Sequence, residues 1–213
     1  NIQADELGVL AMKELLAGIP FEKSLIDEVI IGNVSQPAHA ANIAKVIAIY
    51  AGLAASVPAF TVHRNCASGM QAISSAGVRI RAGEGNFYIA GGVESMSNIP
   101  LLMNSKMTGF FERMMRAKTM GQKLAVFASF RPSFISPVVG LTLGLTDPTC
   151  GLIMGLTAEN IAKDFGITRK EQDEFSASSH QKAERATKDG TFAQEIIPIY
   201  GDKLKGTFVS TDE

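Results

Sequence analysis

Val62-His63-Arg64-Asn65-Cys66-Ala67-Ser68-Gly69-Met70-Gln71-Ala72-Ile73 reads as the end of a strand, a tight turn and the first turns of a helix. Phe60-Thr61-Val62 supplies the aromatic and β-branched strand end. Cys66 sits at the hinge. A thiol there lies among the unpaired N–H groups at the positive end of a helix, which favours the thiolate. Thiolate is the form that attacks a carbonyl. The helix behind it is crowded with small residues: Ala67, Ser68, Gly69, Ala72, Ser74, Ser75, Ala76 and Gly77. Glycine costs about 1 kcal/mol in a helix interior relative to alanine. Such a helix is expected to be buried and closely packed on several sides, ending near Gly83.

Working outward, the same alternation of helix and strand recurs. Upstream, Leu7, Leu10, Ala11 and Leu15 fall three and four apart, a helical face that Gly18 and Pro20 terminate. Val29-Ile30-Ile31 is short and β-branched, a buried strand, with Gly32 and Asn33 suited to a turn after it. Asn42 can cap a helix whose inner face carries Ile43, Val46, Ile47 and Tyr50. Downstream, Phe87-Tyr88-Ile89-Ala90 is a third strand, ending in Gly91-Gly92. Helix alternating with apolar strand predicts an α/β fold with a mostly parallel sheet. From about Ser97 the alternation is lost, and residues 98–150 gain Met, Phe and basic side chains, the pattern of an insertion. Ala158, Ile161, Ala162 and Phe165 restore a helical face that Gly166 stops. Thr168-Arg169-Lys170-Glu171 is a capping-box pattern for a helix running to about Lys188, before Gly190.

Composition bounds the function. Forty-six per cent apolar and 19% charged residues suit a globular protein of 213 residues, and a net charge of −1 argues against a nucleic-acid partner. No apolar run approaches the roughly 20 residues of a membrane span. Two cysteines, Cys66 and Cys150, make no disulfide framework and suggest a reducing compartment. The chain opens without Met directly into a helix start, and Val209-Ser210-Thr211-Asp212-Glu213 stops without a terminating element; both ends look cut.

Among chemistry-bearing residues Cys66 stands first, with Arg64 near enough to favour the anion. The competing reading of a lone cysteine is a small buried apolar residue. His63 is the nearest imidazole but points to the opposite strand face. His39 and His180 read as isolated, and no His/Cys/Asp/Glu spacing suggests a metal site. Glu94, after two glycines, reads as a hydrogen-bonded structural carboxylate. Gly91-Gly92-Val93-Glu94 is not a dinucleotide fingerprint. In the insertion, Lys106, Arg113, Arg116, Lys118, Lys123 and Arg131 face one acid, Glu112, with Met103, Met107, Phe110, Phe111, Met114, Met115, Leu124, Phe127 and Phe130 interleaved. That pattern fits an anionic lipid or partner surface, a phosphate-bearing ligand, or an apolar face packed on its own domain or across an oligomer interface.

Asn65-Cys66-Ala67-Ser68-Gly69-Met70-Gln71-Ala72-Ile73 resembles the nucleophile motif of the thiolase family, the acyl-CoA acetyltransferases and 3-ketoacyl-CoA thiolases. Ala90-Gly91-Gly92-Val93-Glu94-Ser95-Met96-Ser97 is similar to its second signature, and Met154-Gly155-Leu156-Thr157-Ala158-Glu159-Asn160 to its M-G-x-T-A-E-N segment. Gln172-Asp173, Lys182-Ala183 and, at the end, Asp212-Glu213 match further family positions in order. The resemblance implies a thiolase-like α/β fold: the N-terminal βαβαβ core half at 1–97, its first strand absent, and an inserted loop domain at 98–213, truncated at its C-terminal end. It implies Cys66 as acyl-thioester nucleophile and backbone oxyanion donor, and Met154 beside the bound pantetheine. It also implies no permanent cofactor or metal, with acyl-CoA and CoA as substrates.

His63 departs from the Asn, Ser or Thr usual three residues before the nucleophile. Ile153 stands where short-chain biosynthetic members have His. With the basic Met-rich insertion, these departures make the chain similar to β-subunits of the fatty-acid oxidation trifunctional enzyme. Implied are degradation of longer 3-ketoacyl-CoA, a homodimer or dimer of dimers, and contact of 98–131 with a hydratase/dehydrogenase α-subunit or a membrane surface. The implied location is the bacterial cytoplasm or the mitochondrial matrix. The remaining catalytic groups of the family lie in its C-terminal half, so this chain alone is expected to be inactive. Rival readings are a related condensing enzyme, of ketoacyl or hydroxymethylglutaryl synthase type, and a non-catalytic interaction fragment.

Overall fold

The computed structural model describes residues 2–200 and 208–211. Asp212 and Glu213, matched above to a family segment, lie outside the described residues. Backbone contacts divide the chain into two compact units, one of Asn1–Asn98 with His180–Glu213 and one of Ile99–Ser179.

The first unit is built on three parallel strands, β1 (Glu28–Gly32), β2 (Ala59–Val62) and β3 (Tyr88–Gly92), in the order β2-β1-β3. Val29 aligns with Ala59 and Ile89, and Gly32 with Val62 and Gly92. The central strand alternates its side chains between two cores. Val29 and Ile31 pack on helices α1 (Ala4–Gly18) and α2 (Ile43–Tyr50). Ile30 points the other way, to Ala72 and Ala76 of α3 (Ser68–Arg81). Burial on both faces explains why β1 is a continuous apolar run instead of an alternating one. The three strands and helices therefore match the sequence expectation closely, and the fold is mixed α/β.

Local chemistry fixes the starts of these helices. The Asn42 side chain accepts from Lys45 N at 3.3 Å, capping α2, and also donates to Ala59 O at 2.9 Å. One residue thus ties α2 to β2. Glu6 accepts from Gln3 N at 2.9 Å, across the first turn of α1. Three expectations change. Tyr50 is exposed, and the inner face of α2 is Ile43, Ala44, Ile47 and Ala48, with Val46 partly buried against the same core. Gly32 is not a turn residue but the last residue of β1. Helix α3 is buried on one face only: Ser68, Ala72 and Ala76 are covered, whereas Met70, Ile73, Val78 and Ile80 are exposed. Its small residues serve a single close contact with the sheet.

The second unit begins with a two-stranded antiparallel ribbon, β4 (Leu101–Met103) with β5 (Pro137–Val139). Between them lie α4 (Ser105–Arg116) and α5 (Met120–Ala128). The insertion is thus regular where no periodicity was read. Asn104 organises it. Its Oδ1 caps α4 through Met107 N at 2.9 Å, and its Nδ2 donates to the carbonyls of Ser133, Phe134 and Ser136. Phe110, Phe130 and Phe134 meet edge to face at 5.5–6.2 Å. Met115, Met120, Leu124 and Phe127 stay exposed. After α6 (Gly140–Gly144) come α7 (Met154–Asp164) and α8 (Arg169–Lys188), the latter begun by the Thr168–Glu171 capping box. Strands β6 (Ile199–Tyr200) and β7 (Phe208–Val209), which belong to the first unit, pair antiparallel.

Candidate active site

Strand β2 ends at Val62, and α3 begins at Ser68 after five intervening residues. The chain makes that reversal with Asn65 in the left-handed region, at φ 45°, the only non-glycine residue at positive φ among those described. Asparagine tolerates this conformation better than most side chains. Two overlapping turns follow, Ala67 N to Arg64 O and Ser68 N to Asn65 O, each 3.0 Å. Cys66 stands between them, at the carboxyl edge of the parallel sheet, where open α/β sheets place their ligands. It is a free thiol and exposed, which removes the reading of a small buried apolar residue. Among the described residues, the N–H groups of Cys66, Gly69 and Met70 have no protein acceptor. They are donors directed into the space before α3.

A floor of glycines holds this edge together. A Cβ on Gly32 would lie 2.4 Å from Ser68 C and 2.6 Å from Gly69 N, and one on Gly92 would lie 3.2 Å from Gly69 Cα. The α3 backbone therefore rests directly on β1 and β3. This is why the sequence places glycine at the ends of both strands and near the helix start. The Ser68 hydroxyl is buried, accepts from Arg64 N at 2.8 Å and donates to Asn65 O at 2.6 Å. The Arg64 guanidinium binds the Gln71 side-chain oxygen, and Gln71 in turn donates to Ser75 Oγ at 3.1 Å. Arg64 is thus turned along α3.

Glu94 is a structural carboxylate, as its context suggested. It accepts from Val34 N at 2.8 Å and from Ser35 N and Asn33 Nδ2 at 3.2 Å, so it braces the loop after β1. His63 is exposed and has no hydrogen-bond partner among the described residues. His39, read as isolated, lies 3.2 Å from Asp5 Oδ2, a pairing between the start of α1 and the loop before α2 that no local pattern announces. His180 is exposed on α8. Among the described residues no group of three or more His, Cys, Asp or Glu side chains could hold a metal, and no helix is long and apolar enough to cross a membrane.

Met154, the second residue singled out, belongs to the other unit. It is the first residue of α7, half exposed, and its N–H donates to Leu145 O at 3.2 Å. The loop between them is closed by Asp147, which accepts from Thr149 N and from the Thr149 hydroxyl at 2.6–2.7 Å. These bonds, the hydroxyl first, hold the Asp147 carboxyl below its ordinary range. Cys150 lies exposed in the same loop.

A sequence profile described as thiolase, N-terminal domain, matches residues 1–213. The chain belongs to the thiolase family. Among its relatives is a probable acetyl-CoA acyltransferase of Staphylococcus epidermidis, 38% identical across all of this chain and 50% of the relative. One of Staphylococcus aureus is 38% identical over 97% of this chain and 48% of the relative. In three dimensions the chain is similar to the Bacillus anthracis acetyl-CoA acetyltransferase, with a TM-score of 0.82 and 32% identity over 49% of that protein. It is also similar to a thiolase of Ascaris suum crystallised with coenzyme A, with a TM-score of 0.78 and 29% identity. The chain spans about half the length of the thiolases it matches.

Proposed function

We propose that the protein cleaves 3-ketoacyl-CoA with CoA through an acyl-enzyme on Cys66, in fatty-acid degradation. The observation that carries this reading is an exposed thiol on a left-handed turn, at the sheet edge and beside unpaired N–H donors. The Cys66 sulfur attacks the 3-keto carbon, forming an S–C bond and a tetrahedral alkoxide. Collapse of the alkoxide breaks the bond between C2 and C3. The C2 carbanion takes a proton and leaves as acetyl-CoA, and the acyl group stays on sulfur as a thioester. The thiolate of a second CoA then attacks that thioester, releasing shortened acyl-CoA and the Cys66 thiolate.

The residues of this chain supply part of that chemistry. Cys66 is the nucleophile. Its own N–H, with no competing acceptor among the described residues, is assigned as a donor to the oxyanion, and a preorganised donor of this kind is worth about 3 kcal/mol of barrier. Met154 is assigned to the pantetheine arm of CoA. The groups that activate the thiol and protonate the C2 carbanion are assigned to the C-terminal half of the thiolase family. Support for CoA as substrate comes from the family and from the coenzyme bound to the Ascaris thiolase.

The test is acyl-enzyme trapping in the full-length protein. Incubation with acetyl-CoA and peptide mass analysis should find acetyl on Cys66, and Cys66→Ser should abolish both that adduct and turnover, by at least about 10³-fold. An acetylated wild type whose adduct maps elsewhere would sink the assignment.

A further inference from the structure

We propose that Ser68 is a positioning residue for Cys66, restraining the strained turn at Asn65 that presents the thiol. The proposal rests on the reading of Cys66 as nucleophile and deepens it. A non-glycine residue in the left-handed region, even asparagine, costs free energy that its surroundings must offset. Around Asn65 the surroundings that do so converge on one side chain. The Ser68 hydroxyl accepts from the N–H of Arg64, on one side of Asn65 and Cys66, and donates to the carbonyl of Asn65. Ser68 is buried, while Arg64 and Asn65 are exposed, so the hydroxyl ties an exposed turn to a covered position. Ser68 itself cannot shift, because its backbone lies against Gly32 with no room for even a methyl group between them.

The hydroxyl therefore adds a tie to the sheet-borne helix start for a turn held otherwise by two backbone bonds, Ala67 N to Arg64 O and Ser68 N to Asn65 O. Cys66 has no hydrogen bond of its own main-chain N–H among the described residues, so its position is inherited from its neighbours. Alanine at 68 would keep the helix and the backbone bond from Ser68 N to Asn65 O, but leave the Arg64 N–H without its acceptor. The strain at Asn65 would then relax by moving Cys66. Glycine at 65 adopts positive φ without strain, so it removes the need for the restraint.

Iodoacetamide labelling of the full-length protein, resolved by peptide mass, reads this directly. Alkylation forms an S–C bond, releases iodide and gives the thiol proton to buffer. Cys150, also exposed, is the internal reference in every sample. Ser68→Ala should slow labelling of Cys66 on the order of tenfold, with Cys150 unchanged. Asn65→Gly with Ser68→Ala should recover Cys66 to within about threefold of wild type. A loss of packing alone would not respond to Asn65→Gly. Equal Cys66 labelling in wild type and Ser68→Ala would overturn the proposal, as would a double variant as slow as Ser68→Ala. If Ser68→Ala does not fold, the double variant decides: folded and labelled near the wild-type rate supports the restraint, unfolded or slow overturns it. Acetyl-CoA serves as a separate arm. Wild type that is labelled by iodoacetamide but never acetylated on Cys66 defeats the thiolytic reading, and the labelling ratios still judge Ser68.

Discussion

The two units of this chain bury their apolar residues very differently. Among the described residues every buried hydrophobic lies within residues 1–98, except Phe110. In the first unit a three-stranded parallel sheet is covered on both faces, so a residue such as Ile30 loses all contact with water. In the second, a two-stranded ribbon and its helices enclose one aromatic cluster and leave Met115, Met120, Leu124 and Phe127 exposed. A sheet covered on both faces buries the residues of its central strand whichever face their side chains take. A two-stranded ribbon is marginal by itself. The unit that carries Cys66 is the one that can hold a strained turn still.

This contrast can be broken at its strongest point first. Ile30→Ala should cost about 4 kcal/mol in chemical denaturation, since it opens a cavity against Ala72 and Ala76. Gly32→Ala should cost about 3 kcal/mol, because its methyl group would meet backbone and not a flexible side chain. A variant as stable as wild type would refute the glycine floor. In the second unit, Asn104→Ala should cost about 2 kcal/mol, from the lost α4 cap and three carbonyls left without their donor. Hydrogen exchange should show that loss confined to 104–136.

The smallest expected effect is one of pH. Asp27 accepts from Asn86 N at 2.7 Å and Phe87 N at 2.9 Å, and these bonds, Phe87 first, hold its carboxyl below the ordinary value of 3.8. A depressed folded value means the stabilisation is complete above the unfolded value of about 3.9 and is lost as pH falls through the folded one. Asp27→Ala should therefore flatten the acid limb of stability below about pH 4. It should leave the slope between pH 6 and 8 unchanged. An unaltered acid limb would show that these bonds carry no linkage.

Legibility followed the same division. In the first unit the strands were readable because Val29-Ile30-Ile31 and Phe60-Thr61-Val62 are β-branched or aromatic and bounded by breakers. The caps Asn42 and Thr168–Glu171 were readable because capping needs particular oxygens at particular offsets. Tyr50 failed because helical spacing places a residue on a face but does not say how wide the covering layer is. Helix α3 failed for a related reason: small side chains announce close approach, yet one approaching backbone satisfies them as well as three. Helix α4 was legible and still missed: Met107, Phe110, Phe111, Met114 and Met115 fall three and four apart on one face, but the loss of strand alternation after Ser97 was read as an insertion and not as a helix. At the site, Cys66 was found from its strand-turn-helix setting, whereas Ser68 passed as one more small helix residue. Its role comes from reaching backwards to Arg64 and Asn65, which no motif spacing encodes. The His39–Asp5 pair spans 34 residues and was equally invisible.

By itself the sequence determined the parallel α/β alternation, the helix starts, the family and Cys66 at its turn. These depend on local stereochemistry: β-branching, capping oxygens and glycine where backbone must approach. Tertiary structure alone decided that Gly32 and Gly92 form one floor under α3, that Glu94 braces the loop after β1, and that a serine hydroxyl closes over the Cys66 turn. Those are meetings of groups brought together by strand order. The free energy of such a contact resides in distances between segments, which a linear pattern does not contain.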